Sequence, residues 1–99
     1  RTPRVAVKLA KERPQTEVRF GSLANGGLHI PAGAADHKVD VEMTIGQDIT
    51  MWSLLPHTHV RGTRWLYTLE KPDGTSEVIL DVPRYDFNWQ LRSECAETW

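Results

Sequence analysis

The sequence has little of several features that would point to a definite class of protein. Its single cysteine, Cys95, excludes an intramolecular disulfide. No apolar run approaches the ~18–20 residues that a membrane helix needs, so we expect no membrane span. The 12 Lys and Arg residues nearly balance the 13 Asp and Glu residues, both signs are interspersed, and no basic stripe results. We therefore expect no nucleic-acid partner.

Several catalytic signatures are also absent from the sequence. It has no glycine-rich phosphate loop, no His-Glu-x-x-His helix and no suggestion of a Ser-His-Asp arrangement. No segment long enough to form a stable helix has helical periodicity. The one helix-like stretch, 8–13, ends at Pro14. No catalytic residue can be assigned from these patterns.

Alternation of apolar and polar residues runs through most of the chain and is typical of strands with one buried face. The alternating segments are 5–9, 38–45, 64–70 and 77–82, and the segment 49–55 is apolar on both parities. Between 63–70 and 76–82, Pro72 presets a turn and Asp73-Gly74 supplies positive φ, which predicts an antiparallel hairpin. The sequence predicts an all-β protein of about seven short strands, most simply an antiparallel two-sheet sandwich.

The most informative motif is Leu55-Pro56-His57-Thr58-His59-Val60-Arg61-Gly62. On a strand, His57 and His59 point the same way, with Cα atoms roughly 6.5–7 Å apart. Two imidazoles at that spacing can bind one metal ion, and such a pair suits copper or zinc. The alternative is a pair of exposed or hydrogen-bonded histidines with a structural role.

A third ligand has to come from elsewhere in the chain. Met51 shares the parity of the pair but lies roughly 20 Å away along an extended strand. The alternation makes Met43 a core residue, and Cys95 is only a minor candidate. His29 and His37 flank a turn-rich loop, where a solvated histidine is the simpler interpretation, and His37 is the better possible third ligand of the two.

The segment 84–90 is dense in aromatic and amide side chains and allows two interpretations. It is a binding surface, or it closes the sandwich by packing Phe87 and Trp89 while the polar residues brace loops. Those polar residues are Asp86, Asn88 and Gln90.

Three segments together resemble the copper type II, ascorbate-dependent monooxygenases, which include peptidylglycine α-hydroxylating and dopamine β-monooxygenase. The segments are Leu55–Gly62, Lys71-Pro72-Asp73-Gly74 and Val82-Pro83-Arg84-Tyr85-Asp86-Phe87-Asn88-Trp89-Gln90. The likeness is closer to bacterial proteins that carry the second domain of this family. A looser likeness in the same order covers 5–14 and 30–37.

The resemblance implies two tandem, jelly-roll-like β-sandwich domains with one copper ion each. It makes His57 and His59 two ligands of the second-domain copper, which a methionine completes in the family. It also implies ascorbate as the reductant of a full-length enzyme, and a secreted or periplasmic location. On this basis 1–99 is one β-sandwich domain, in which 1–14 is the tail strand of a preceding domain and 26–99 a partial second domain.

The chain also departs from the family pattern. No methionine follows Met51 and no histidine precedes His29, so two of the six expected copper ligands are present. We therefore expect a divergent, truncated or excised form that is inactive alone and needs a missing companion domain. Water, His37, a partner chain or a downstream methionine would complete the site. The alternatives are a structural or protein-interaction sandwich without metal chemistry, expected to be a homodimer, and a zinc site without redox function.

Overall fold

The strands of this protein lie in the second half of the chain. The computed structural model describes residues 2–96, so both ends of the predicted domain 1–99 lie outside the described residues. It contains four strands, β1 (Ser53–Leu54), β2 (Trp65–Glu70), β3 (Ser76–Val82) and β4 (Ser93–Glu94), and no helix in the described part. The all-β prediction is confirmed, whereas the prediction of about seven strands is wrong. Among these residues there is no helix long and apolar enough to cross a membrane.

By its contacts the chain divides after Thr44 into two units. Within 2–44 the structure has turns at 26–27 and 32–33 but no strand. The first turn is closed by the Gly27 N–H, which donates to Asn25 Oδ1 at 2.9 Å. In the second, Gly33 has a φ of 80°.

The predicted strands over 5–9 and 38–45 are absent. In the described part of the first unit, the backbone makes one hydrogen bond to backbone, from Ala34 N–H to Pro31 O. A strand exists only where a neighbouring backbone accepts and donates hydrogen bonds, which alternation alone does not supply. As a result Val5 is 88% exposed and Met43, predicted to be a core residue, is 56% exposed.

The predicted hairpin is confirmed in the second unit. Strands β2 and β3 pair antiparallel from Trp65↔Val82 to Glu70↔Ser76. Gly74 takes a φ of 84° in the connecting turn, and its N–H donates to Lys71 O at 2.9 Å. Asp73 Oδ1 accepts from both the N–H and the hydroxyl of Thr75, at 2.9 and 2.6 Å. Hydrogen bonding to the Thr75 hydroxyl and N–H lowers the pKa of the Asp73 carboxyl.

A β-bulge in β3 changes which residues share a face of the hairpin. Tyr67 pairs with Leu80 and Thr68 pairs with Val78, so Ile79 is the extra residue. Such an insertion reverses the parity of the residues beyond it. The alternation predicts Val78 on the same face as Leu80, and that prediction is wrong because Val78 is 56% exposed.

The second sheet is a short antiparallel pair. Strand β1 pairs with β4 through Ser53↔Glu94 and Leu54↔Ser93, and the Cys95 N–H extends the ladder by donating to Trp52 O at 2.9 Å. The predicted strand over 49–55 is therefore reduced to two residues.

The described residues form no closed hydrophobic core. No large hydrophobic side chain among them is buried, and Pro56 is their one buried residue. Apolar surface is thus left for something else to cover.

Candidate metal site

His57 and His59 lie on the connection between β1 and β2 rather than inside a strand, which corrects the prediction of a strand there. Their rings nevertheless lie on the same side of the chain. The ring centroids are 5.3 Å apart and the planes meet at 85°. Both side chains are exposed, and a turn closed by the Gly62 N–H to His59 O bond, 2.9 Å long, follows the pair. The two imidazoles therefore lie side by side, and their role as ligands of one metal ion stays a prediction.

Thr58, between the two histidines, is held by side chains from elsewhere in the second unit. The Tyr85 hydroxyl accepts from the Thr58 N–H at 3.1 Å and donates to the Thr58 carbonyl oxygen at 2.6 Å. The Trp65 indole N–H donates to Thr58 Oγ1 at 3.1 Å. Three hydrogen bonds thus fix one half-buried residue, and fixing it directs the residues on either side outward.

Gly62 is required by close packing against this arrangement. A Cβ at position 62 would lie 2.7 Å from Thr58 Cβ and 3.2 Å from Tyr85 Cδ1. Cβ atoms essentially never approach that closely, so any other residue has to displace Thr58 or the tyrosine ring. The hydrogen of glycine allows the chain to pass close behind Thr58.

The segment that follows Tyr85 brings two further side chains to the histidines. Phe87 packs edge-on against both imidazoles, with its centroid 6.2 Å from His57 and 5.6 Å from His59. Gln90 Oε1 lies 2.7 Å from His57 Nδ1. Phe87 thus packs against the imidazoles, and no sandwich is closed there among the described residues. The prediction that Trp89 packs is wrong, since Trp89 is 69% exposed.

Asp86 gives this segment its shape. Its side-chain Oδ1 accepts from the Asn88 N–H at 2.8 Å and from Asn88 Nδ2 at 3.0 Å, and its carbonyl accepts from the Trp89 N–H at 2.9 Å. An Asx turn followed by a backbone turn is a locally determined structure. The predicted bracing role of Asp86 and Asn88 is confirmed, and this turn sets where Phe87 and Gln90 point.

The distance between the two imidazole rings is within the range that binding of one metal ion would require. With metal–nitrogen bonds of about 2.0–2.1 Å, two bound rings have centroids at most roughly 6.5 Å apart, because each centroid lies about 1.1 Å behind its nitrogen. The observed 5.3 Å is within that limit. Among the described residues, no three side chains of His, Cys, Asp or Glu come together as a metal-binding group. Among the described residues, His57 and His59 are thus a pair and not part of a larger group of such side chains.

The other candidate ligands belong to other segments of the chain. His29 and His37 are exposed and belong to the first unit, so the role of His37 as third ligand stays a prediction. Met51 is half-buried, six residues before His57. Met43 is exposed.

Sequence reasoning missed the residues that support the pair. The parity of Thr58 could have shown that it points away from the histidines, but Tyr85 is 27 residues away and Gln90 is 33 residues from His57. No local pattern links residues at such separations.

No protein-family model matches the chain, and comparison with curated proteins and with solved structures finds no match. The resemblance to copper monooxygenases therefore depends on the sequence motifs, and the candidate site depends on the geometry of His57 and His59.

Proposed function

We propose that this chain is a copper-binding β-protein of the ascorbate-dependent monooxygenase type, with His57 and His59 as its copper ligands. The observation that carries the proposal is the convergence of two exposed imidazoles, 5.3 Å apart, on a connection fixed from behind through Thr58. Imidazole nitrogens are good ligands for copper, and Cu(II) stands above Zn(II) in affinity for such ligands.

Each residue of the site would have a distinct role. A bound copper ion would supply one-electron redox chemistry. His57 and His59 would bind it, Phe87 would limit solvent access along one edge of both rings, and the Thr58 hydrogen bonds would hold the connection. The remaining positions would be filled by water, by His37, or by a ligand from a companion domain or partner chain.

The wider assignment follows the same resemblance. We propose that the fold is a two-sheet, jelly-roll-like sandwich, in which further β-structure covers the apolar faces that the described residues leave exposed. We also propose a secreted or periplasmic location. Hydroxylation with ascorbate as reductant would belong to a full-length protein, because this chain offers only one of the two copper sites of the family.

Copper titration tests the ligand assignment. We expect the purified chain to bind one Cu(II) with a type II EPR spectrum and nitrogen hyperfine structure. Replacement of an outer partner of a ligand already costs about 10–100-fold in affinity, so His57→Ala or His59→Ala should weaken binding by more than about 100-fold. His29→Ala, another exposed histidine, is the matched control and should change nothing. Equal affinity in all four proteins would refute the assignment, and a preference for Zn(II) would favour the zinc alternative.

A specific observation favours a second candidate, a protein-interaction module. Trp52 and Trp89 are 64% and 69% exposed, and the described residues bury no large hydrophobic side chain. Aromatic side chains are enriched at protein–protein interfaces relative to the rest of a protein surface. Sedimentation velocity over a concentration series tests it: a homodimer that persists in His57→Ala, together with no copper binding by the parent chain, would establish this function instead.

A further inference from the structure

The hydrogen bonds of Gln90 determine which nitrogen of His57 carries the proton. The Gln90 amide has one donor end and one acceptor end. Its Nε2 donates to the Phe87 carbonyl oxygen at 3.2 Å, which turns Oε1 toward His57 at 2.7 Å from Nδ1. Because an amide oxygen only accepts, Nδ1 has to be the N–H of the neutral ring. The lone pair of His57 then lies on Nε2.

From this geometry we infer that Gln90 is a positioning residue: it holds His57 as the Nδ1–H tautomer and so selects Nε2 as its metal-binding atom. The metal-binding part of this inference rests on the proposed function. Metal-binding histidines almost always donate the other ring N–H to an acceptor, which fixes the tautomer and the orientation of the ring. A neutral side-chain amide here does what a carboxylate or backbone carbonyl does at other sites.

The two histidines differ in this respect. No hydrogen bond within the described part of the chain reaches the His59 ring, whose described partners are the rings of His57 and Phe87. His57 is therefore preset by the protein, whereas the tautomer of His59 is left to solvent. This asymmetry supplies an internal reference within the same molecule.

Gln90 is itself held in place. It ends the segment that Asp86 shapes through the Asn88 and Trp89 N–H groups, and it bonds back to Phe87, whose ring lies against both imidazoles. One short segment thus supplies both the acceptor for Nδ1 and the ring that packs beside His57. A preset ring loses less freedom when it binds a metal ion.

Two-bond proton–nitrogen correlation spectra of the metal-free, nitrogen-15-labelled chain measure both tautomers directly, at a pH where imidazoles are neutral. We expect the ratio of Nδ1–H to Nε2–H forms to be roughly 2- to 13-fold higher in His57 than in His59, which is what one hydrogen bond of ordinary net strength provides. Gln90→Met, similar in size but without the amide, should bring His57 to the His59 value. Gln90→Glu, which keeps an acceptor, should preserve the difference.

The outcomes of this test are distinguished by control measurements on the same variants. An unchanged His59 ratio and unchanged shifts from the Phe87 ring in Gln90→Met would show that the segment keeps its structure. Equal ratios for the two histidines in the parent chain, or a lower ratio of Nδ1–H to Nε2–H forms in His57 than in His59, would overturn the inference. The inference is supported if the difference between the tautomer ratios of His57 and His59 is lost in Gln90→Met and retained in Gln90→Glu.

Copper binding then separates this inference from the proposed function. In Gln90→Met the Cu(II) dissociation constant should rise about 10–100-fold, and pulsed EPR of the parent chain should show the remote, protonated nitrogen of an Nε2-bound ring. A preset His57 in a chain that binds no copper would support the tautomer assignment and refute the copper site. If Gln90→Met loses the tautomer preference of His57 but keeps its affinity for Cu(II), the metal-binding part of the inference is refuted and the tautomer assignment stands.

Discussion

Tyr85→Phe removes one oxygen atom and with it both hydrogen bonds that fix the backbone of Thr58. The hydroxyl accepts from the Thr58 N–H at 3.1 Å and donates to its carbonyl at 2.6 Å, and both groups are half-buried. At a net value of about 0.5–1.5 kcal/mol for each bond, the loss amounts to roughly 1–3 kcal/mol of unfolding free energy. For so small a protein that is a large part of the total stability.

Denaturant unfolding followed by tryptophan fluorescence measures this loss, because Trp65 donates to the same threonine and reports on its surroundings. Tyr67→Phe is the matched control. Tyr67 is also half-buried, and burial raises the pKa of its phenol, but no hydrogen bond to its hydroxyl is found among the described residues. We expect the control to change the unfolding free energy by less than about 0.5 kcal/mol.

The same variant tests whether the Thr58 hydrogen bonds position the histidines. The backbone amide hydrogen of Thr58 should exchange with solvent faster in Tyr85→Phe than in the parent chain. Copper affinity should also fall, although both imidazoles are retained. Equal stability of the Tyr85→Phe and Tyr67→Phe proteins, with an unchanged exchange rate at Thr58, would refute the idea that this hydroxyl holds the site.

Two further predictions concern the hairpin. Gly74→Val should lower the unfolding free energy by more than about 1 kcal/mol, because position 74 has a φ of 84°, whereas Gly46→Val, at an open position without positive φ, should cost less; equal losses in denaturant unfolding would contradict this. Because the pKa of Asp73 is lowered in the folded state, its carboxylate stabilises the hairpin at neutral pH, and that stabilisation is lost as the pH falls below the ordinary value of 3.8. Asp73→Asn should therefore lose less stability than the parent between about pH 7 and pH 3, and parallel curves for the two proteins would show that Asp73 contributes nothing.

Features that depend on neighbouring residues can be predicted from the amino-acid sequence. Asp73-Gly74 specifies a turn through local backbone preference, and the strands it joins pair because they are adjacent in the chain. The spacing of His57 and His59 likewise places both rings on one side of any extended backbone, whether or not that backbone belongs to a strand.

Features that depend on partners far away in the chain arise only when the chain folds. Alternation at 5–9 and 38–45 predicts strands, but a strand needs a partner backbone, and none is supplied within 2–44. The bulge at Ile79 arises from pairing across the hairpin, and the alternation of apolar and polar residues within β3 does not predict it. The contacts of Thr58 with Tyr85 and of His57 with Gln90 join residues 27 and 33 positions apart, and it is folding that brings them within hydrogen-bonding distance.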